Sequence, residues 1–208
     1  MRKIFSVARS SLVTGAALLA SLGLAVDSAF ASDTWTVTGG GNLTGVSTDA
    51  SLTDGSTSIA IPCASSGIIV SMANGTGLPG AGIGSFTSLT WSSCTGPLNL
   101  ALTLSAQSLP WSLNAVSVTP SGVSGTVTGV QAHISGNGCT ADLGGATPGT
   151  TATLDILYSS NDLRFTGTGD LHAWNVSGLC IGLINSGDAL SYTADYLLSP
   201  GTAHITSP

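Results

Sequence analysis

Leu98, Leu100, Leu102 and Leu104 alternate with Asn99, Ala101, Thr103 and Ser105, the period-two pattern of a strand with one face buried. The same signature runs through Leu190, Tyr192, Ala194, Tyr196 and Leu198, interleaved with Ser191, Thr193 and Asp195 and ended by Pro200. Ile59, Ile61 and Cys63 repeat it briefly; Val130, Ala132 and Ile134 alternate with Gln131 and His133; Ala152, Leu154, Ile156 and Tyr158 follow a turn-rich gap. Further strands are expected at Trp35 to Thr38, Gly67 to Met72, Ser88 to Ser92 and Leu163 to Thr166. LDILYSSNDLRFTG predicts a hairpin with SSND as its loop, which sets Leu157 opposite Arg164 with Asp155 diagonal to it on one face. About nine to eleven short strands without a helical stretch predict an all-β fold, an antiparallel sandwich or closed barrel.

Composition supports that expectation. Charged residues are 7% of the chain, whereas exposed helix faces are usually built from Glu, Lys and Arg. Ser, Thr, Asn and Gly must therefore supply the polar surface, and these suit strands and turns. A hydrophobic content of 42% with regular alternation argues against disorder.

The N-terminus reads as a secretory signal. Arg2, Lys3 and Arg9 precede an apolar run from Leu12 to Val26, and Ala29-Phe30-Ala31 supplies a small-x-small cleavage site. The run is short for a membrane span. Residues 1–31 are thus expected to be removed, leaving one domain over 32–208. Arg164 is then the only basic residue, set against nine aspartates, with no lysine or glutamate after Ser32. Nucleic acid is excluded as a partner, because phosphate binding depends on clustered Lys and Arg. Insertion into anionic lipid is disfavoured on the same ground.

Cys63, Cys94, Cys139 and Cys180 all lie in the exported part, and their even number in an oxidising compartment predicts two disulfides. Of the three connectivities, Cys63 with Cys94 and Cys139 with Cys180 is preferred, because each pair flanks one run of strands. Zinc needs closer ligand pairs than these widely spaced cysteines offer. Asn185-Ser186-Gly187-Asp188 reads as a turn into the final strand, with Asp188 capping backbone amides.

Catalytic and cofactor signatures are missing. There is no G-x-S-x-G, no H-E-x-x-H and no Walker-type loop, and GGGNLTG near Gly39 lacks the lysine that phosphate binding requires. The histidines an enzyme would have to work with are His133, His172 and His204; His133 falls on the polar side of its strand, and His204 sits in a short tail. Asp155 with Asp170 is the conceivable glycosidase pair, and Asp162, Asp170 and Asn161 are the nearest oxygen ligands for calcium. Arg164 reads as the partner of a surface aspartate rather than an anion anchor. Trp35, Trp91, Trp111 and Trp174 read as core residues before they read as a binding groove. Asn42, Asn74 and Asn175 head N-x-Ser/Thr sequons.

WTVTGGG (35 to 41), PCASSG (62 to 67), SSCTGP (92 to 97), GTVTG (125 to 129), GNGCTADLGG (137 to 145) and GDALSYTADYLLSP (187 to 200) together resemble a group of small Sec-exported, β-rich, four-cysteine proteins of actinobacteria. The resemblance implies no activity and carries over no functional residue. In composition alone the chain is similar to the neocarzinostatin-type chromoprotein carriers, which have a tightly spaced cysteine pair that is missing here. The function expected is a secreted or envelope-associated domain with a structural or binding role, without catalysis and without a cofactor. Its partner and oligomeric state are left unassigned. The alternatives from other classes are an envelope-inserted oligomeric barrel or pore, and a secreted hydrolase with a convergent site.

Overall fold

The computed structural model describes residues 34–136, 138–180 and 182–207; the expected signal segment, 1–31, lies outside them. Fifteen strands follow one another among the described residues. The first five are β1 (Thr34–Thr38), β2 (Gly41–Ser47), β3 (Ser51–Asp54), β4 (Ala60–Met72) and β5 (Gly75–Pro79). Then come β6 (Gly84–Gly96), β7 (Leu100–Gln107), β8 (Trp111–Thr119), β9 (Gly122–Gly136) and β10 (Cys139–Gly144). The last five are β11 (Ala152–Ser159), β12 (Asp162–Gly169), β13 (His172–Gly178), β14 (Leu190–Ser199) and β15 (His204–Thr206).

The fold is all-β, and its pairings are antiparallel. Four long strands organise it, each taking two short partners in succession along one edge. β4 pairs with β3 and then β2, β6 with β8 and then β7, and β9 with β8 and β7 on one edge and β11 and β10 on the other. β14 pairs with β3, β2 and β12. Because β11 bonds both β12 and β9, the ladder returns on itself, with β10 and β13 extending from β9 beyond the closure. A separate sheet, β15-β1-β5, adds Trp35 and Val37 to the same core.

The excess over the expected strand number arises because one position in the ladder is filled by two short strands. The reverse also occurs: the stretch ending at Cys63, from Ala60 on, and Gly67 to Met72 are parts of one strand, β4. Its inward face changes phase between Cys63 and Ser66, both buried, so the alternation breaks although the strand does not. Leu98 departs from its leucine series. It stands in a short turn after Pro97 with φ of 58°, fully exposed, while Leu102 and Leu104 are buried.

The barrel is filled. Phe165 packs against Phe86 and edge-on to Tyr192 and Tyr196, and Trp91 meets Tyr192 edge-on. The residual apolar space among Leu89, Trp91, Leu104, Trp111, Phe165 and Tyr192 is about 20 Å³, about one water-sized probe. Through this interior runs a one-way relay of hydrogen bonds. The Trp91 indole donates to the Tyr192 hydroxyl (3.0 Å), which meets that of Tyr196 (2.7 Å); this in turn meets Ser66 Oγ (2.6 Å), which donates to the Thr90 carbonyl (2.9 Å). Burial pushes both tyrosine hydroxyls up, so each stays a neutral donor.

Both disulfides join the preferred partners, Cys63–Cys94 across the β4–β6 register and Cys139–Cys180 from β10 to the loop after β13. The β11–β12 hairpin has Leu157 opposite Arg164 as expected, but its loop is shorter than SSND. Ser159 pairs with Asp162, and Ser160 and Asn161 make a two-residue turn with φ of 49° and 71°. Arg164 bonds Asp195 directly across on β14 (2.6 Å) and lies 3.6 Å from Asp162, while Asp155 instead accepts from Thr168.

Candidate functional site

The outer face of β7, β9, β10 and β13 carries the densest set of polar side chains with chemistry. On each strand the apolar residues point inward: Leu102 and Leu104 on β7, Ala132 and Ile134 on β9, Cys139, Ala141 and Leu143 on β10. The intervening positions must face out. Register then places Ser105 beside His133, His133 beside Asp142, and Asp142 beside Trp174. A register shift between Thr140 and Asp142 re-aims Asn175, which has φ of 51°, at the same carboxylate.

Asp142 is the hub. One oxygen is 2.7 Å from His133 Nδ1 and the other accepts from the Asn175 amide at 2.8 Å. The Asn175 hydrogen bond and then the His133 contact hold its carboxyl below the ordinary aspartate value, so it is a fixed negative acceptor. Trp174 is tethered by donation from its indole to the Gly145 carbonyl (2.9 Å) and stacks on His172, with ring centroids 6.3 Å apart and planes inclined by 20°.

Between these groups runs a groove of about 190 Å³, walled by Gln107 and Gln131 on one side and Trp174 and Asn175 on the other, with Asp142 at its end. Its floor depends on Gly144, where a Cβ would lie 2.4 Å from the Thr150 carbonyl oxygen. The lining thus provides three amide side chains, one ionised carboxylate and an indole. Among the described residues that line it there is no Lys, Arg or His. Ser105 Oγ accepts from the Gln107 amide at 3.1 Å and donates weakly to the His133 carbonyl at 3.5 Å.

The other residues singled out from the sequence are dispersed. His172 Nδ1 meets the Asp170 carbonyl. His204 lies in β15 rather than in a tail, exposed. Asp170 accepts from the Thr153 amide and Asp155 from Thr168 Oγ1, so each has a local structural bond. Asp162 opens β12 beside Arg164 while Asp170 follows the far end of that strand, so the two make no joint cluster. Trp35 and Trp111 are core residues and Trp91 packs against the core, whereas Trp174 lines the groove. Asn42 is exposed, and Asn74 accepts from the Gly40 amide. GGGNLTG forms the turn at Gly39-Gly40 and the first five residues of β2, with Gly39 and Gly41 at positive φ. Among the described residues no three His, Cys, Asp or Glu side chains gather to hold a metal, and no helix is long and apolar enough to cross a membrane.

The pairing of His133 with Asp142 was accessible from the sequence. Asn137-Gly138 is the strongest short hairpin signal; a two-residue loop there pairs Gly136 with Cys139, the observed register, and His133 with Asp142 follows by counting. Trp174 and Asn175 have no comparable signal, because their register depends on an irregularity. Comparison of the chain with protein-family models, with curated proteins and with solved structures gives no match.

Proposed function

We propose that this chain is an exported, disulfide-stapled binding domain, acting outside the cell or on its envelope, whose groove beside Trp174 takes a neutral, hydroxyl-rich ligand of the glycan class. The observation that carries the reading is the groove itself. An indole face offers apolar contact to the C–H face of a sugar ring, and the Gln107, Gln131 and Asn175 amides with the Asp142 carboxylate supply donors and acceptors around it. A phosphate or carboxylate ligand would meet Asp142 with no guanidinium or ammonium group to offset the repulsion. At about 190 Å³ the groove is smaller than a drug-sized pocket, which suits one ring or a chain end.

Export is supported by the two disulfides and by the basic and apolar character of the N-terminal segment. The orientation of side chains favours this reading over an envelope-inserted barrel, which needs an apolar outer band and a polar lumen. Here the apolar side chains fill the interior and Ser, Thr and Asn dominate outside. The test is a microarray of neutral oligosaccharides probed with the chain and its Trp174→Ala variant. The reading expects binding that the substitution abolishes, and equal signal from both proteins would overturn it.

A second reading has one observation behind it. Ser105, His133 and Asp142 stand in register on adjacent strands, the residue types of an acyl-transfer triad. Ser105 is turned to the His133 carbonyl rather than to the ring, which ranks this hydrolase reading below the binding one. Hydrolysis of p-nitrophenyl acetate lost in both Ser105→Ala and His133→Ala would reverse the ranking.

A further inference from the structure

We infer that Asp54 and Asp188 form a calcium-class cation site between the β3–β4 turn and the loop that precedes β14. Asp54 closes β3 and is 1% exposed. Its Oδ1 accepts the backbone N–H groups of Ser56 and Thr57, both at 2.7 Å, while its buried Oδ2 has no hydrogen-bond partner. That oxygen is the only buried side-chain polar atom so left among the described residues. A carboxylate oxygen removed from water without a donor is costly, so something positive is expected to meet it.

The group beside it deepens the problem. Ser56 ties the Asp54 carboxyl to Asp188, with its N–H on the first and its hydroxyl on the second. Asp188 accepts from Ser56 Oγ at 3.1 Å on one oxygen, and from the Asn185 backbone and side-chain amides at 2.7 and 3.0 Å on the other. Two adjacent carboxyls do not both ionise without a neutralising charge. Arg164, the one basic residue after Ser32, is committed to Asp195 and Asp162. His172, on the strand that bridges Ala189, turns its Nδ1 to the Asp170 carbonyl.

The donors are all oxygen: Asp54 Oδ2, the Asp188 carboxylate and the Ser56 hydroxyl, with water completing the shell. Such a set selects a hard cation, and its irregular spacing suits calcium better than the strict octahedron of magnesium. With two charged ligands the affinity belongs to the weak extracellular range, Kd about 0.1–1 mM. The site also occupies a joint. Gly55 N donates to the Ala189 carbonyl and Thr57 Oγ1 to that of Leu183, tying turn to loop. The loop in turn holds β13 on both sides of Trp174, through Gly187 N to the Ala173 carbonyl and Val176 N to Ser186 Oγ. A bound cation therefore braces the wall of the groove, though the site stands independently of what the groove takes.

The test uses the disulfide-intact chain, stripped with chelator and titrated with CaCl₂ by calorimetry. One calcium per chain is expected at a Kd of about 0.1–1 mM, and 10 mM CaCl₂, a roughly tenfold to hundredfold excess, is expected to raise Tm by about 3–11 °C. Asp54→Asn and Asp188→Asn should each weaken binding at least about tenfold, while Asp142→Asn should leave it unchanged. On the unsubstituted chain, calcium should shift the amide resonances of Ser56, Thr57 and Asn185, a readout that needs no variant to fold. Calcium binding that survives both substitutions overturns the site. So does a chain that shows no heat of binding and no change in Tm with millimolar calcium.

Discussion

Tyr196→Phe removes the central hydroxyl of the buried relay and nothing else. Tyr196 is completely buried, and its oxygen lies 2.7 Å from the Tyr192 hydroxyl and 2.6 Å from Ser66 Oγ. Its loss strands the Tyr192 O–H without an acceptor and deprives Ser66 of the donor it accepts, in an interior whose residual space is about 20 Å³ and apolar. Each buried group left unpaired costs about 1–3 kcal/mol, so the substitution is expected to cost about 3 kcal/mol and to lower Tm by roughly 6–12 °C. Urea unfolding followed by tryptophan fluorescence with the disulfides intact measures it, provided the m-value is unchanged. The relay makes a sharper demand on the double variant. Tyr192→Phe alone strands the Trp91 indole N–H, but in Tyr192→Phe/Tyr196→Phe the orphaned Tyr192 hydroxyl no longer exists. The double variant should therefore cost about 1–2 kcal/mol less than the sum of the singles. A Tyr196→Phe cost below about 0.5 kcal/mol, or strict additivity of the two, would refute the relay.

Further expectations are independent of it. Replacing Cys139 and Cys180 by Ala removes a cross-link spanning 41 residues of sequence and should cost about 4 kcal/mol by chemical denaturation, near the upper end for a native staple. Trypsin should leave the native chain after Ser32 intact, because Arg164 is held in β12 between β11 and β14, and should cut once when the chain is reduced and unfolded; native cleavage would show the hairpin open. Asp142 has a folded pKa below its ordinary value of 3.8, so its contribution to stability is present above that value and lost as pH falls through the depressed one. Thermal melts across the acid range should show Asp142→Asn lacking that part of the decline, and identical acid limbs would contradict the assignment.

What was legible in the sequence was the part written in one face of one strand. Leu190 to Leu198 and Ala152 to Tyr158 alternate without error and bury every expected side chain. β4 was not legible as a single strand, because Ser66, a polar residue, occupies an inward position that its bonds to Tyr196 and the Thr90 carbonyl justify. β2, β5 and β13 are rich in Gly, Ser, Thr or Asn and take their structure from ladder partners rather than from any pattern of their own. The same limit applied to chemistry. His133 appeared solvated because Asp142 stands nine residues away on another strand, and the calcium expectation fell on Asp162 and Asp170 because no local motif joins Asp54 to Asp188. Pairing across strands, rather than spacing along the chain, assembles both sites.

The central claim is that the Trp174 groove binds a neutral sugar, and two-dimensional ¹H–¹⁵N NMR of the labelled chain with cellotriose, maltotriose and galactobiose at millimolar concentration tests it most directly. The account predicts saturable shifts confined to the Trp174 indole and the side-chain amides of Gln107, Gln131 and Asn175, with the buried Trp111 indole unmoved. Shifts centred on any other face, or none with any of the three sugars, would contradict it.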